Sequence, residues 1–492
     1  MKFVSTRKGI AATSAESVFQ GLAPDGGLFV PVLDKVEKID IASIKNLRDA
    51  EEAVMARLFD DMPAEVRTAA VDRLLSRFPE NDPIPLVDAD GLKILELFHG
   101  KTGAFKDVAL SMLPVFMRHA ANGKRVLILT ATSGDTGSAA MQGFAGVEGT
   151  EVAVFFPNVG TSKIQRLQMT TPADKNVHAI AIKGNFDDAQ AAVKRIFADK
   201  AINAEAAAHG VTLSSANSIN TGRLIPQIAY YLLAASKIDK SQIEKSQIEK
   251  SINSQSVNRS IGQSVNLFDV VVPSGNFGNI LAAYYAKLLG APIRRFVVAS
   301  NVNDVLARFV KTGVYDPGDK FTITNSPSMD IRKSSNVERL LWLINGGLDG
   351  RVDEACAETA RLMSDLAEKG RYELSAAAKD KLFHDFEGGV ATPEDTETEM
   401  RMVRERSGYV LDPHTAVATK VARDLGYPKG CTPCVIAATA TPYKFPETCQ
   451  RAYGENVLVN PPPSFADLEK LPIAQTRVCE VAGIDDEVRR LF

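Results

Sequence analysis

From Leu92 onward, short runs of β-branched and other apolar residues alternate with longer segments in which apolar residues recur every three or four positions. The short runs read as strands: Leu92–Phe98, Val126–Ala131, Glu151–Phe156, Val177–Ile182, Phe268–Val272 and Arg295–Ala299. The segments between them read as helices: Lys106–Ala121, Thr136–Phe144, Ser162–Thr170, Phe186–Ala198, Thr221–Ala235, Asn279–Leu289 and Asn303–Val310. Such alternation predicts parallel βαβ units, hence an α/β body of mostly parallel sheets flanked by helices. Ligands of such sheets bind in the loops beyond the carboxyl ends of the strands.

Three stretches depart from this rhythm. Residues 1–90 read as a helical lead-in, with a glycine-rich corner at Pro24-Asp25-Gly26-Gly27 and a charged helical stretch from about Ala42 to Phe78. Residues 237–266, with the tandem SQIEK-SQIEK and an excess of Ser, Gln and Asn, read as a low-complexity insertion. Past residue 330 come charged helices at Val337–Ile344, Asp353–Glu368 and Leu374–Phe386, then a further βα-like unit through Cys434–Thr441. Residues 451–492 read as a closing helical cap. The expected organisation is therefore an N-terminal domain over 1–90, a body over 91–450 whose smaller lobe spans about 100–170, and a cap over 451–492.

Composition narrows the class without changing that outline. A chain of 492 residues is too long for one core and implies two or three packed units. Lys+Arg 57 against Asp+Glu 60 leaves a net charge of −3, so there is no global basic field for nucleic acid or an anionic membrane. Any anionic ligand must be gripped locally. No run approaches the length of a spanning helix, and the N-terminus lacks the apolar region of a secretory signal. Five cysteines are too few for a disulfide framework, which leaves the cytoplasm as the expected compartment.

Several familiar chemistries fail on inspection. Gly100-Lys101-Thr102 imitates the end of a phosphate-binding P-loop, but the first glycine of that motif would fall at Leu95, inside a strand. The six histidines are scattered without ligand spacing, so no metal is expected. Cys431-Thr432-Pro433-Cys434 enters an apolar strand instead of opening a helix, and no second pair completes a zinc site.

Three strand-to-helix turns carry positive signals. Lys106 stands in the first turn of an apolar helix beside Phe105, where helix-dipole repulsion and desolvation favour the free amine needed to capture an aldehyde. Thr130-Ala131-Thr132-Ser133-Gly134-Asp135-Thr136-Gly137 offers hydroxyls, backbone N–H groups and a helix N-terminus suited to a carboxylate. Pro273-Ser274-Gly275-Asn276-Phe277-Gly278-Asn279 is the strongest phosphate-loop candidate, because its glycines let the backbone wrap closely around a phosphate. An amine, a carboxylate cradle and a phosphate loop at three strand ends together suggest pyridoxal phosphate.

The motifs AFKD, TATSGDTG, SSANSIN with the following Gly-Arg-Leu, PSGNFGN and SPSMDI, in that order, resemble the signatures of the threonine synthase family. GLAPDGGLFVP at residues 21–31 resembles its N-terminal signature. The resemblance implies a two-lobed fold-type II pyridoxal phosphate enzyme acting on a small-molecule substrate. It would convert O-phospho-L-homoserine and water to L-threonine and phosphate by γ-elimination and β-hydration. It implies that Lys106 carries the cofactor, that Ser274, Gly275, Asn276, Phe277 and Asn279 hold its phosphate, and that the Thr439 hydroxyl faces its ring nitrogen. Ser133, Gly134, Asp135 and Thr136 would lie over the ring and the substrate carboxylate, with Asn217 among the substrate contacts. Lys163 and Arg223 are the candidate cations for the substrate phosphate. Two departures from the family pattern are Lys101, where proline is common, and Gly103, where a larger residue is common; a histidine usual near Thr441 is also absent. A related lyase releasing 2-oxobutyrate and a non-catalytic ligand-binding homologue remain the alternative readings.

Overall fold

The computed structural model describes residues 1–33, 36–78, 81–238, 267–454 and 456–492. The low-complexity insertion, from residue 239 on, lies outside the described residues. The N-terminal segment holds a feature that hydrophobic periodicity did not predict, a small antiparallel sheet of β1 (Phe3–Ser5), β2 (Ala11–Ala12) and β3 (Phe29–Pro31). Its strands are too short to show an alternating pattern. The expected charged helical stretch is two helices, Leu47–Leu58 and Ala64–Leu75, separated by a turn that ends at Pro63. Phe59, just past the first of them, meets Phe116 edge-on at 5.3 Å and so packs this region against the helix Lys106–Ala121.

Two sheets form the body, and a short antiparallel pair, β12 (Val314–Tyr315) with β13 (Tyr372–Glu373), stands apart from them. The larger contains β4 (Leu86–Ala89), β5 (Leu92–Glu96), β10 (Phe268–Pro273), β11 (Ile293–Ser300), β14 (Phe386–Val390) and β15 (Cys434–Ala438), in the order β14-β11-β10-β15-β5-β4. All its pairings are parallel except β4 with β5. The smaller sheet is wholly parallel, in the order β16-β8-β7-β6-β9: β6 (Arg125–Ala131), β7 (Thr150–Pro157), β8 (Val177–Lys183), β9 (Val211–Ser215) and β16 (Arg477–Glu480). The expected lobe boundary near 170 therefore falls inside this sheet, which continues to Ser215. The closing segment is not purely helical either, since β16 pairs along β8.

Alternation along single strands explains how the lobes join. In β6, Val126 and Ile128 belong to a core shared with the N-terminal helices and the larger sheet. Leu127 and Leu129 face the opposite way, into a smaller core closed by Phe186–Ala198 and by Ile484 and Val488 of the C-terminal segment. Both faces of the strand are apolar because both are covered, as parallel sheets require. Each fully buried leucine or phenylalanine of these faces contributes roughly 1.5–3 kcal/mol relative to exposure.

The helices that begin at the site are locked together by a proline and a glycine. Pro114 inside Lys106–Ala121 has no N–H, so the carbonyl of Leu110 loses its intrahelical donor. Gly143 of the helix Asp135–Phe144 lies against that carbonyl so closely that any side chain there would collide with it. The contact holds Lys106 and Asp135 at fixed separation on neighbouring helix N-termini.

Candidate active site

The carboxyl ends of seven strands, β5, β6, β7, β8, β9, β10 and β15, lead to one cavity of about 200 Å³ between the lobes. The loop after β5 leads to Lys106 and the loop after β15 carries Thr439. The two loops are zipped together: Phe105 N–H donates to Thr439 O at 2.9 Å, Thr441 N–H donates to Gly103 O at 2.9 Å, and Ala104 bridges Ala440 antiparallel. Asp107 steadies the turn, accepting from Thr102 N–H at 2.8 Å and Thr102 Oγ1 at 2.7 Å. Gly103 has φ +69, and a side chain there would meet Thr441 and Phe465, so the departure at this position follows from local packing. Lys101 is exposed and outside the cavity lining. Partial burial lowers its proton affinity, and the nearby Arg77 and Arg73 lower it further.

Lys106 lines the cavity with its Nζ 3.1 Å from Asp135 Oδ2 and 4.5 Å from the centre of the Phe105 ring. Burial is the largest influence on this amine and lowers its pKa; the charges of Lys444 and Arg223 add to the effect, while Asp135 opposes it. The expectation of a lysine biased toward free amine therefore has a physical basis in desolvation and neighbouring cations, more than in the helix dipole alone.

Asp135 opens the helix after β6 and accepts four contacts. Lys106 and Ser328 Oγ reach Oδ2 at 3.1 and 3.0 Å, and Gln165 Nε2 and Lys444 Nζ both reach Oδ1 at 2.8 Å. Burial disfavours this carboxylate, but Lys106 and Lys444, with His414 behind them, hold it well below the usual carboxylate range. Ser133 and Thr136 line the same wall, and Gly134 caps the helix immediately before Asp135.

The turn after β10 is built differently. Ser274 N–H donates to Ala299 O and its hydroxyl to Val272 O, both at 2.9 Å. Phe277 adopts a left-handed φ of 63 immediately before the helix Gly278–Leu288, and a side chain at Gly275 would press on the Ser328 carbonyl. Two buried amide atoms, Asn276 Oδ1 and Asn279 Nδ2, have no hydrogen-bond partner among the described residues. Across the cavity, Arg223 is 2% exposed, donates from Nη1 to Ala216 O, and leaves Nε unpaired. Burial lowers its pKa to about 10, and among the described residues it forms no ion pair. Asn217 lines the same side, its Nδ2 donating to Ala131 O at 3.0 Å.

Lys163 is the one predicted site residue that needs correction. It heads the helix Lys163–Thr170, but its ammonium turns outward to Glu469 at 2.8 Å, it is 61% exposed, and it does not line the cavity. The buried cation on this side of Asp135 is instead Lys444. Sequence reasoning missed it, along with His414, whose Nδ1 lies 2.9 Å from Asp412 Oδ1 and whose Nε2 accepts from Ser328 N–H at 3.1 Å. A helix-start signal, Asp412-Pro413, could have marked His414; nothing local marks Lys444.

Three family descriptions match the chain: threonine synthase N terminus over residues 2–73, pyridoxal-phosphate dependent enzyme over 81–379, and threonine synthase C-terminal over 415–488. The chain is 37% identical over 462 residues to threonine synthase of Pseudomonas aeruginosa, covering 92% of this chain and 90% of that protein. The chain belongs to the threonine synthase family. Its fold superposes on the PLP-bound threonine synthase of Brucella melitensis with a TM-score of 0.85 at 34% identity, covering 100% and 99% of the two chains. It is also 37% identical to Threonine synthase-like 1 of Homo sapiens, where 92% of this chain aligns but spans only 60% of that protein's length. Among the described residues no helix is long and apolar enough to cross a membrane.

The threonine synthase family is a pyridoxal-phosphate-dependent one, and the residues present fit that group. A buried unpaired amide donor at Asn279, a helix N-terminus and a backbone with no room for side chains suit its phosphate. Lys106 suits its aldehyde.

Proposed function

We propose that the protein is a threonine synthase, converting O-phospho-L-homoserine and water to L-threonine and phosphate with pyridoxal phosphate. The observation that carries this reading is Arg223, a fully buried guanidinium lining the cavity with Nε unpaired and no carboxylate in ion-pair contact among the described residues. An uncompensated buried cation is costly unless an anion arrives. The Ser274–Asn279 turn already supplies one phosphate position, so Arg223 marks a second, as a phosphorylated substrate on a phosphorylated cofactor requires.

The electron sink that makes the substrate's α- and β-protons removable is what pyridoxal phosphate supplies when bound. Lys106, with its amine free, would be the base that takes the substrate's α-proton at Nζ and the acid that returns one. Ser133, Thr136 and Asn217 orient the substrate carboxylate, Asp135 balances the charge of Lys106, and Arg223 stabilises the phosphate as it leaves Cγ. The Thr439 hydroxyl, which lines the cavity, would hold the ring nitrogen without protonating it and so would moderate that sink. Water then adds at Cβ. A cytoplasmic location is part of the proposal, supported by five free cysteines, and no nucleic acid or membrane partner is assigned.

The test is product analysis with O-phospho-L-homoserine. Equimolar threonine and phosphate are expected; 2-oxobutyrate without threonine would replace this reading with that of a related lyase.

A further inference from the structure

Lys444 raises a question of charge balance. It sits in a short turn (Pro442–Lys444) five residues past Thr439, its side chain 0% exposed, with Nζ 2.8 Å from Asp135 Oδ1 and 3.0 Å from Thr102 O. Asp135 already has a cation, Lys106, on its other oxygen at 3.1 Å. Two buried ammonium groups therefore share one carboxylate, and only one of them faces the cavity.

The remaining charged neighbours do not alter that balance. Asp107, on the helix that Lys106 opens, has both carboxylate oxygens engaged by Thr102. Arg223, on the helix Thr221–Leu224, and His414, on the helix Pro413–Asp424, bring no negative charge of their own; of the carboxylates beyond them, Asp412 is engaged by His414 and Thr415, and Asp330 by Asn301 and Thr324. If Lys106 alone faced Asp135, loss of its proton would strand a buried carboxylate without a counter-ion, a costly arrangement that would hold the proton in place. With Lys444 on the second oxygen, the carboxylate keeps a partner throughout.

We propose that Lys444 is the fixed counter-ion of Asp135, a positioning residue that lets Lys106 give up and regain its proton while the ion pair beneath it stays intact. The inference rests on Lys106 as the reactive amine. It does not require the threonine synthase reaction, and its test uses no phosphohomoserine, so failure here and failure of the product assay are distinguishable.

The experiment is acetylation of the full-length protein, freed of cofactor, across a pH series, with modification at Lys106 read by mass spectrometry. In Lys444→Met, removal of the second cation should strengthen proton binding at Lys106 and slow its acetylation at neutral pH by roughly tenfold, one unit in the midpoint. Lys444→Arg should restore the midpoint, and Asp135→Asn should move it the opposite way. An unchanged midpoint in a folded Lys444→Met protein, by circular dichroism, would reduce Lys444 to packing and overturn the proposal. If Lys444→Met does not fold, Lys444→Gln carries the same acetylation series at Lys106: the same slowing is expected, and an unchanged midpoint would overturn the assignment. With pyridoxal phosphate added back, the pH at which its visible band shifts should rise in Lys444→Met or Lys444→Gln and return in Lys444→Arg; no difference among the variants counts against the proposal.

Discussion

The turns after β6 and β10 are the same device on opposite lobes, a strand running through small residues into a helix N-terminus, yet they are finished in opposite ways. After β6 the anion is built in: Asp135 fills the position and is met by Lys106, Lys444, Gln165 and Ser328. After β10 no acidic side chain is present, and Asn276 and Asn279 keep buried polar atoms without partners. A helix N-terminus with glycine and hydroxyl residues specifies that an anion belongs there. Only the surrounding cations and the unsatisfied groups tell whether the chain or a ligand supplies it.

The largest expected effect breaks both halves at once. Lys106→Ala should abolish borohydride-fixable cofactor and lower turnover by on the order of 10⁴-fold or more. A normal fixed adduct on another lysine would show that the reactive amine lies elsewhere. Next is Arg223→Met, expected to lower kcat/KM for O-phospho-L-homoserine by roughly 10²- to 10³-fold, since it removes the buried cation proposed to meet the substrate phosphate. Because Arg223 has no ion pair of its own, the same substitution should leave ligand-free thermal stability unchanged or raised. A large loss of stability with an unaltered KM would instead make Arg223 a structural residue. Asn279→Ala sharpens the β10 half alone: loss of one hydrogen bond to a charged group should weaken cofactor binding roughly ten- to a hundredfold in a titration of the cofactor-free protein. Ser133→Ala, in the β6 half, should leave cofactor binding near the unsubstituted value.

How much of this was legible in the sequence depended on whether a residue's partner lay close in the chain. The βα alternation and the turns at Lys106, Ser133–Thr136 and Ser274–Asn279 are local patterns, and all these residues lie at or beside one cavity. β14, Phe-Glu-Gly-Gly-Val, has poor strand propensity; it forms because Gly388 and Gly389 let Ala307 and Val421 pack directly on the sheet. β16 is mostly exposed and exists only through its pairing with β8. Lys444 and His414 act on Asp135 and Ser328, hundreds and tens of positions away respectively, so no spacing rule points to them. Lys163 misled for the converse reason: the helix start it occupies is real, but the capping role falls to Ser162, which leaves the lysine free to turn toward Glu469.

The smallest effect tests whether a buried carboxylate is stabilised by its partners or only tolerated. Asp135 has two cations. Glu51, on the helix Leu47–Leu58, is fully buried with both oxygens unpaired among the described residues, and burial pushes its carboxyl well above the usual range. The two should give opposite pH signatures. Asp135, depressed in the folded state, contributes stability that is present above the unfolded value of about 3.9 and is lost as pH falls from there through the lower folded value. The deficit of Asp135→Asn relative to the unsubstituted protein should therefore shrink on acidification. Glu51, raised in the folded state, must stay neutral in the fold while the unfolded chain ionises above about 4.3, so it costs stability increasingly as pH rises. Glu51→Gln should accordingly gain on the unsubstituted protein by about 1.4 kcal/mol per pH unit just above that value, levelling off once Glu51 ionises in the fold. Urea denaturation of the three proteins between about pH 2 and 8 reads both slopes, that of Asp135 below about pH 4 and that of Glu51 above it. Parallel slopes would mean that the cations around Asp135 do no more for it than the apolar surroundings of Glu51.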